Sequence, residues 1–307
     1  MAAYDDSGEV EEVEVACLKI RDAEAEAAVR GELEALAREA GAADALRVAE
    51  SDGEGAGRER WLQPGDCLIV FCKVPLKGKS KTRLIPRFGE DGAFRVARAL
   101  LCDTLYRFGF APEFDAARRV VCFAPAEAAC VLQELVEDAG VDHDFWERSA
   151  MAPHDVTGSD LGGFLRAEYD RVRRESKGAV VIVGMDSPDL PVDFVLDAAG
   201  AARAGAAVVH DSTDGGYVLV ALPPGAPGAV FDDVEWSTTR TAASQRARLE
   251  ACGVRVEAQR GEAWGDVDEA EDLLALLDRL AKKEAGECPS LDAVAWTLAT
   301  SGEASVW

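Results

Sequence analysis

The sequence predicts an α/β protein in which a mostly parallel sheet carries helices on both faces. From residue 66 onward, short runs of β-branched residues alternate with longer amphipathic segments, which is the order typical of βαβ units. Several of these runs are apolar throughout, as expected of strands that are covered on both sides. The chain has 307 residues, 48% of them hydrophobic, which is enough for one large core.

The predicted strands are marked by short runs of Val, Ile and other apolar side chains. In chain order they are CLIVFC (67–72), RVVCFA (119–124), AVVIVG (179–184), AAVVH (206–210), YVLVAL (217–222) and VRVEA (254–258). Because a helical segment separates most of them, most neighbours in the sheet are expected to run parallel.

The predicted helices are marked by apolar residues at helical spacing and by residues with high helix propensity. In the first of them one face carries Phe94, Ala97, Leu101, Leu105 and Phe108. In chain order the helices cover residues 91–108, 126–140, 159–176, 192–205, 237–253 and 268–284. The second helix is expected to end at its final glycine.

Composition divides the chain into three parts. Residues 1–62 are predicted to be an acidic extension, partly helical or disordered, because residues 1–60 hold 17 acidic and 7 basic side chains around an Ala-, Glu- and Leu-rich stretch. Residues 63–284 hold the alternating strands and helices of the α/β domain. Residues 285–307 form a tail without a periodic pattern.

Charge and cysteine content argue against several classes of protein. With 57 acidic and 33 basic residues the formal charge is −24, which disfavours a nucleic-acid or anionic-membrane partner. The eight cysteines form no C-x-x-C pair, which favours buried, reduced thiols and a cytoplasmic protein over a zinc site or a disulfide framework. No run is apolar enough to span a membrane, and the acidic N-terminus lacks the pattern of a signal peptide.

One loop concentrates positive charge. The basic loop (residues 73–88, KVPLKGKSKTRLIPRF) contains six cations and no acid, directly after the first strand. Open parallel sheets bind ligands outside the carboxyl ends of their strands, where ammonium and guanidinium groups suit phosphate oxygens. Gly78, Lys79 and Ser80 match part of a P-loop, but Lys73 stands where that motif requires glycine. We therefore expect a phosphate-binding loop of another kind, and the alternative is a solvated loop that pairs with the acidic surface.

Two aspartates that are far apart in the sequence are candidate ligands of a divalent cation. Asp186 follows an apolar strand in VIVGMDSPDLP, and Asp268 precedes the last helix in WGDVDEAEDL. Two carboxylates would hold Mg²⁺ and leave coordination positions for phosphate oxygens and water. The alternative is that these aspartates cap the helices that follow them, and Asp189 and Asp266 are open to the same interpretation.

A pair of glycines precedes the strand YVLVAL in the segment DSTDGGYVLVAL (211–222). Glycines at such a position let the backbone approach a ligand closely, or they simply form a hairpin turn. The sequence leaves both possibilities open.

In this order the motifs resemble the nucleotide-diphospho-sugar transferase (GT-A) superfamily, and within it the bacterial radical-SAM/selenodomain-associated transferases. The resemblance spans about residues 66–280 and rests on FCKVPLKGKSKTRL, DLG (160–162), VGMDSPDLP, DGGYVLVAL, VFDDVEWST and DVDEAEDL. A more distant likeness is to molybdopterin- and phospholactate-type nucleotidyltransferases. The chain departs from the family pattern at Gly163 and Phe164, after DLG, and at His210 and Asp211, before DGGY.

The resemblance implies a Rossmann-like GT-A domain that binds a nucleotide across the switch point of the sheet. The implied nucleotide- and phosphate-binding residues are Lys73, Lys77, Gly78, Lys81, Thr82 and Arg83. The implied ligands of Mg²⁺ or Mn²⁺ are Asp186 and Asp268. The implied pocket for the sugar or acceptor is bordered by Asp160, Gly215, Gly216, Tyr217 and Trp236.

We therefore expect a metal-dependent transferase, in the first place a glycosyltransferase that uses a nucleotide-sugar donor and a small-molecule acceptor. The cation held by Asp186 would neutralise the departing diphosphate, and Asp214 is the candidate base for the acceptor hydroxyl. One alternative is a nucleotidyltransferase that releases pyrophosphate, and another is a non-catalytic nucleotide- or partner-binding protein. The sequence gives no indication of the oligomeric state.

Overall fold

Within the described residues, seven strands form one sheet. The computed structural model describes residues 61–138, 146–150, 161–282, 288, 290 and 291. The strands are β1 (Cys67–Lys73), β2 (Arg118–Ala124), β3 (Glu147–Ala150), β4 (Val180–Gly184), β5 (Ala206–Asp211), β6 (Tyr217–Leu222) and β7 (Arg255–Glu257). Their order across the sheet is β3-β2-β1-β4-β6-β5-β7.

Helices cover both faces of this sheet. They are α1 (Ile85–Phe110), α2 (Ala129–Asp138), α3 (Leu161–Glu175), α4 (Val192–Arg203), α5 (Thr241–Ala251) and α6 (Ala270–Leu280). Helices α1, α2, α4 and α6 pack into one buried cluster, and α3 and α5 pack into another. Strand β1 joins the two, because Leu68 and Val70 belong to the first cluster while Cys67 and Ile69 belong to the second. The predicted α/β architecture is confirmed.

The sheet is mixed, with one strand reversed. Strands β3, β2, β1 and β4 run parallel, β7 is parallel to β5, and β6 is antiparallel to both β4 and β5. Strands β5 and β6 are joined by residues 212–216 alone, and so short a connection joins antiparallel strands. Strand β3 was not predicted, because its sequence ERSA has no apolar run and lies at the edge of the sheet.

Helix α1 begins earlier than the sequence predicts. It starts at Ile85, but Gly89 interrupts it with φ 67° and ψ 174°. Glycine adopts a positive φ without the steric cost that a side chain would add, so the chain can bend there. The helix predicted from residue 91 is therefore the regular part beyond this kink.

Both flanks of the α/β domain contact its core where they are described. Most of the predicted acidic extension and of the tail lies outside the described residues. Leu62, at the end of the extension, is buried and donates its N–H to the carbonyl of Glu113 at 3.0 Å. In the tail, the carboxylate of Asp103 accepts the N–H groups of Ser290 and Leu291, each at 2.9 Å.

Most of the described cysteines are buried thiols. The buried ones are Cys67, Cys72, Cys102, Cys122 and Cys288, while Cys252 is half-buried and Cys130 is exposed. Burial raises the pKa of the Cys67 thiol to about 12, which keeps it protonated and unreactive. Across the described part of the chain, no helix combines the length and the apolar character needed to cross a membrane.

Candidate functional site

The candidate site lies where the order of the strands reverses. Strand β1 pairs with β2 on one side and with β4 on the other, and all three run in the same direction. The carboxyl ends of β1 and β4 therefore border a crevice of the kind in which open α/β sheets bind ligands. The basic loop begins at Lys73, the last residue of β1, and Asp186 follows shortly after Gly184, the last residue of β4.

Tight hydrogen-bonded turns shape the basic loop. The carbonyl of Leu76 accepts the N–H groups of Lys79 and Ser80, each at 3.0 Å, and Ser80 Oγ accepts the N–H of Leu76 at 2.9 Å. Lys81 follows in the left-handed conformation with φ 46°, which costs a non-glycine residue about 1–2 kcal/mol. Such strain persists only where the surrounding structure maintains it, and it is common at functional sites.

The side chain of Lys81 connects the two candidate metal ligands. Its Nζ lies 2.8 Å from Asp186 Oδ1 and 3.1 Å from Asp268 Oδ1, and it donates a short hydrogen bond to the carbonyl of Val267. Only 10% of this side chain is exposed. Burial alone would lower the pKa of the Lys81 amine, but the two carboxylates outweigh burial and raise the pKa above its ordinary value. Lys81 is therefore held as a cation between the two aspartates.

Arg83 completes this charged cluster on its solvent side. Its Nη1 lies 3.6 Å from Asp268 Oδ2 and 3.8 Å from Glu269 Oε1, and 67% of the side chain is exposed. An exposed guanidinium with such long ion pairs can turn to bind the oxygens of an anion. Lys81, Arg83, Asp186 and Asp268 are thus brought together.

The remaining predicted residues of the basic loop are exposed. Lys73 lies at the start of the loop and Thr82 lies between Lys81 and Arg83. Lys77 forms an ion pair of 2.6 Å with Asp91, and Gly78 beside it adopts φ +72° in the turn. The structure therefore does not bring Lys77 to the pair of aspartates.

Hydrogen bonds join the segment after β4 to the segment before α6. The N–H of Val267 donates to the carbonyl of Asp186 at 3.0 Å, and the hydroxyl of Ser187 donates to the carbonyl of Gly265 at 3.0 Å. These bonds bring Asp186 and Asp268 together although strands β5, β6 and β7 and helices α4 and α5 lie between them in the chain.

Asp189 anchors the same two segments from within the core. It is fully buried, and its Oδ1 accepts a hydrogen bond from the indole of Trp264 at 3.0 Å. Arg279, on α6, donates to both oxygens of Asp189, at 2.7 and 3.2 Å. Asp189 therefore has a structural role and holds the last helix beside the site.

Neither candidate metal ligand caps a helix. The N-cap residue of α4 is Pro191, which makes no side-chain capping bond. The N-cap of α6 is Glu269, which forms a capping box with Asp272. The capping alternative for Asp186 and Asp268 is therefore wrong, and both carboxylates face Lys81 instead.

The negative charges of the two candidate metal ligands also act on a third carboxylate, that of Asp266. Burial raises the pKa of Asp266 to about 6, and the negative charges of Asp214, Asp268 and Asp186 add to the effect. From its sequence position alone, Asp266 is expected to be an acid at the start of a helix. The Asp-Val-Asp alternation could have indicated that Asp266 lies on the same side of the chain as Asp268, because the central Val267 is 1% exposed and packs into the core.

The carboxylates fit a divalent cation. Asp186 Oδ1 is buried and is paired with Lys81 Nζ at 2.8 Å, with no further hydrogen bond among the described residues. A buried carboxylate oxygen whose partner is a cation is also suited to a hard metal cation. The described residues contain no metal-binding arrangement of three or more His, Cys, Asp or Glu side chains. A cation here would therefore take two protein ligands and complete its shell with phosphate and water oxygens.

The paired glycines lie in a hairpin turn (residues 212–216) between β5 and β6. Asp214 Oδ1 accepts the N–H of Gly216 at 2.8 Å and a short hydrogen bond from the hydroxyl of Ser212. Gly215 has φ +93°, and a Cβ there would lie 2.1 Å from the carbonyl oxygen of Thr239. Because β6 runs antiparallel to β4, the hairpin turn lies at the same edge of the sheet as the crevice.

Gly215→Ala is expected to destabilise the protein more than Gly225→Ala. Both glycines have a positive φ, +93° and +83°, but only at Gly215 would a Cβ clash with backbone, since nothing lies within 4 Å at Gly225. We expect losses of about 1 kcal/mol at Gly225 from backbone strain, and about 2–4 kcal/mol at Gly215. Denaturant unfolding of both variants measures the difference, and equal losses would contradict the clash.

Tyr217 and Trp236 form an aromatic pair beside the hairpin turn. Their rings meet edge to face with centroids 6.2 Å apart, and the Tyr217 hydroxyl donates to Gln245 Oε1 at 3.3 Å. A Cβ at Gly162 would lie 2.5 Å from Trp236 Nε1, so this glycine makes room for the indole. Asp160, predicted at the same pocket, lies outside the described residues.

The departures from the family pattern at the end of β5 form structural contacts. His210 is 1% exposed, stacks on Phe194 with centroids 4.4 Å apart, and bonds through Nε2 to the carbonyl of Glu262 at 2.9 Å. Burial lowers the pKa of His210, which favours the neutral ring. Asp211 pairs with Arg246.

Comparison with protein families finds one match over part of the chain. The model of a family described as "Uncharacterized protein conserved in bacteria (DUF2064)" matches residues 111–238, which include Asp186 and the hairpin turn. This is less than half of the chain and excludes the basic loop and Asp268. Comparison with curated proteins finds no match.

Comparison with solved structures finds several matches. A candidate nucleotide-diphospho-sugar transferase from Desulfovibrio desulfuricans G20 is 24% identical over 78% of this chain and 96% of its own, with a TM-score of 0.64. The 4-diphosphocytidyl-2C-methyl-D-erythritol synthase of Anaerococcus prevotii DSM 20548 is 12% identical over 71% of this chain and 97% of its own, with a TM-score of 0.46. Rv0371c of Mycobacterium tuberculosis H37Rv, solved with manganese, is 16% identical over 71% of this chain and 100% of its own, with a TM-score of 0.42. The first likeness shows the fold alone, an α/β domain of the predicted kind, while the radical-SAM-associated branch stays a prediction.

Proposed function

We propose that this protein is a metal-dependent transferase that moves a sugar from a nucleoside-diphosphate donor to a small-molecule acceptor. The observation that carries the proposal is the meeting of Lys81 and Arg83, from the basic loop, with Asp186 and Asp268. Cations that suit phosphate and carboxylates that suit a metal ion thus share one crevice at the switch point of the sheet. The name of the D. desulfuricans protein of the same fold is in line with this proposal.

In the proposed site the cationic side chains bind the diphosphate of the donor, and the carboxylates bind the metal ion. Lys81, Arg83 and the exposed Lys73 bind oxygens of the diphosphate and neutralise the charge that develops as it leaves. Asp186 and Asp268 hold Mg²⁺ or Mn²⁺ in the proposed site. When bound, the metal ion would supply further electrostatic stabilisation of the leaving diphosphate.

The acceptor pocket is proposed to lie along the hairpin turn. Tyr217 and Trp236 provide an apolar wall on which a sugar or an acceptor can pack. Asp214 is the proposed base for the acceptor hydroxyl. Within the described part of the chain the two hydrogen bonds of this carboxylate both go to Oδ1, which leaves Oδ2 to take a proton.

The exposure of the basic loop favours a second candidate, a nucleotidyltransferase. Lys73 and Arg83 are both exposed, and with Lys81 this amount of positive charge suits a triphosphate as well as a diphosphate. The two activities differ in their products. A nucleotidyltransferase releases pyrophosphate, whereas a glycosyltransferase releases a nucleoside diphosphate.

A panel of donors tests the proposal. Thermal unfolding of the full chain is measured with nucleoside triphosphates and nucleoside-diphosphate sugars, with and without Mn²⁺, and nucleosides without phosphates serve as the control. A donor that binds well should raise Tm by several degrees only when Mn²⁺ is present, because ligands that bind the native state stabilise it. Analysis of the released product then separates the two activities. The proposal is overturned if no phosphorylated donor raises Tm with Mn²⁺.

A further inference from the structure

The position of Lys81 conflicts with that of a metal ion on the same carboxylates. Lys81 Nζ lies 2.8 Å from Asp186 Oδ1 and 3.1 Å from Asp268 Oδ1. A divalent ion that shares these two oxygens would lie about 2.0–2.6 Å from each of them, depending on the ion. The ion and the ammonium would then be close neighbours, and their repulsion would be strong in a site with little solvent. Lys81 has to leave when such an ion binds.

We infer that Lys81 and a divalent cation compete for Asp186 and Asp268, so that the site binds the metal strongly as a complex with a phosphate-bearing ligand and only weakly as the free ion. The inference rests on the proposed function for the identity of that ligand, a metal–diphosphate group.

A bound phosphate allows the Lys81 ammonium to leave the two carboxylates, because it offers another anion to pair with. Its side chain is 10% exposed, and apart from the two carboxylates it contacts the carbonyl of Val267. Moved away from the carboxylates, the ammonium needs another anion, because an unpaired charge with little solvent is costly. Arg83, 67% exposed and loosely paired at 3.6 Å, marks the side from which a phosphate can approach. Metal and phosphate therefore assist each other, and such a coupling is reciprocal.

The lysine is the partner that can move. The carboxylate segments are fixed to each other by the bond from the Val267 N–H to the Asp186 carbonyl and by the bond from Ser187 to Gly265. A lysine side chain, by contrast, has a long flexible stem and can redirect its ammonium by changes of rotamer alone. The exchange therefore requires no rearrangement of the backbone.

Titration with Mn²⁺ alone, followed by spin resonance of the free ion, tests the inference on the full chain. Lys81→Met should bind Mn²⁺ about tenfold or more tightly than the wild type, because the competing charge is gone. Lys81→Arg keeps the charge and should show no gain. Lys79→Met is the matched control, since it removes an exposed cation of the same loop and should leave Mn²⁺ affinity within about twofold.

Inorganic pyrophosphate supplies the second part of the test. The factor by which pyrophosphate increases the Mn²⁺ affinity should be about tenfold larger for the wild type than for Lys81→Met, because this variant has already lost the competing charge. The double variant Lys81→Met with Asp186→Asn should lose the gain, which assigns the gain to this site. Should Lys81→Met fail to fold, Lys81→Gln takes its place.

Two outcomes overturn the inference: Mn²⁺ affinity that is unchanged or lower in the folded Lys81 variants that lack the charge, or a gain that survives the loss of Asp186. Failure of the proposed function is distinguishable from both. A wild type that binds Mn²⁺ with pyrophosphate but responds to no nucleotide donor would overturn the function and support the competition.

Discussion

Asp186→Asn is expected to abolish metal-dependent binding of the nucleotide donor. Asparagine has nearly the same shape as aspartate but carries no charge, so the buried position of Oδ1 would no longer offer a charged ligand to a hard cation. We expect affinity for the donor in the presence of Mn²⁺ to fall about a hundredfold or more. Isothermal calorimetry with the donor that gives the largest thermal shift measures this loss.

Asp278→Asn is the control for this experiment. It makes the same chemical change on α6, at a side chain that is 68% exposed and pairs with Lys282 at the surface. Binding should be unaffected there, and thermal unfolding of Asp186→Asn should show that the fold persists. Donor binding by Asp186→Asn at the strength of the wild type, with Mn²⁺ present, would remove Asp186 from the metal site.

Asp189→Asn is expected to lower the free energy of unfolding by about 2–3 kcal/mol. Asp189 is fully buried and accepts hydrogen bonds from Trp264 and Arg279 through both oxygens. An amide would replace one acceptor with a donor that faces these donors, and it would leave the Arg279 charge without its partner. Breaking a buried ion pair costs about 3–5 kcal/mol, and the 30% exposure of Arg279 moderates that cost. Denaturant unfolding measures the change.

A double-mutant cycle separates this effect from a general loss of charge. Asp189→Asn combined with Arg279→Met should cost clearly less than the sum of the two single losses, because the two side chains share one interaction. Asp278→Asn should change stability by less than about 0.5–1 kcal/mol, as exposed pairs do. Additive losses at Asp189 and Arg279 would show that the pair does not stabilise the fold as proposed.

The elements that the sequence predicts are those whose burial follows from their own residues. Strand β1 is apolar at every position before Lys73, so its place inside the sheet follows from its own residues. Strand β3, Glu147–Ala150, pairs with β2 and bonds to α3 through Ser149 and Glu168, and nothing in its polar sequence indicates these contacts. The early start of α1 likewise depends on how Gly89 bends the chain, which periodicity alone does not show.

The candidate site is predictable for a different reason. Residues that follow parallel strands meet at one edge of the sheet, so Lys81 and Asp186 are expected to be near each other from the order of elements alone. The contacts that set the geometry are between distant segments: the Val267 N–H with the Asp186 carbonyl, and Asp189 with α6. A single sequence does not show which segments pair. For the same reason it does not predict the ion pair between Lys77 and Asp91 at the surface.

The attachment of residues beyond β7 to the segment after β4 also affects the order in which the protein matures. Every strand of the described sheet has been synthesised once the chain reaches Glu257, but Val267, Asp268 and Arg279 come later. A growing chain that stalls before α6 would lack Leu273 and Leu276 of the buried core and would leave the buried Asp189 without the guanidinium of Arg279. We therefore expect the sheet to become stable only when α6 docks, at the same step that completes the proposed site.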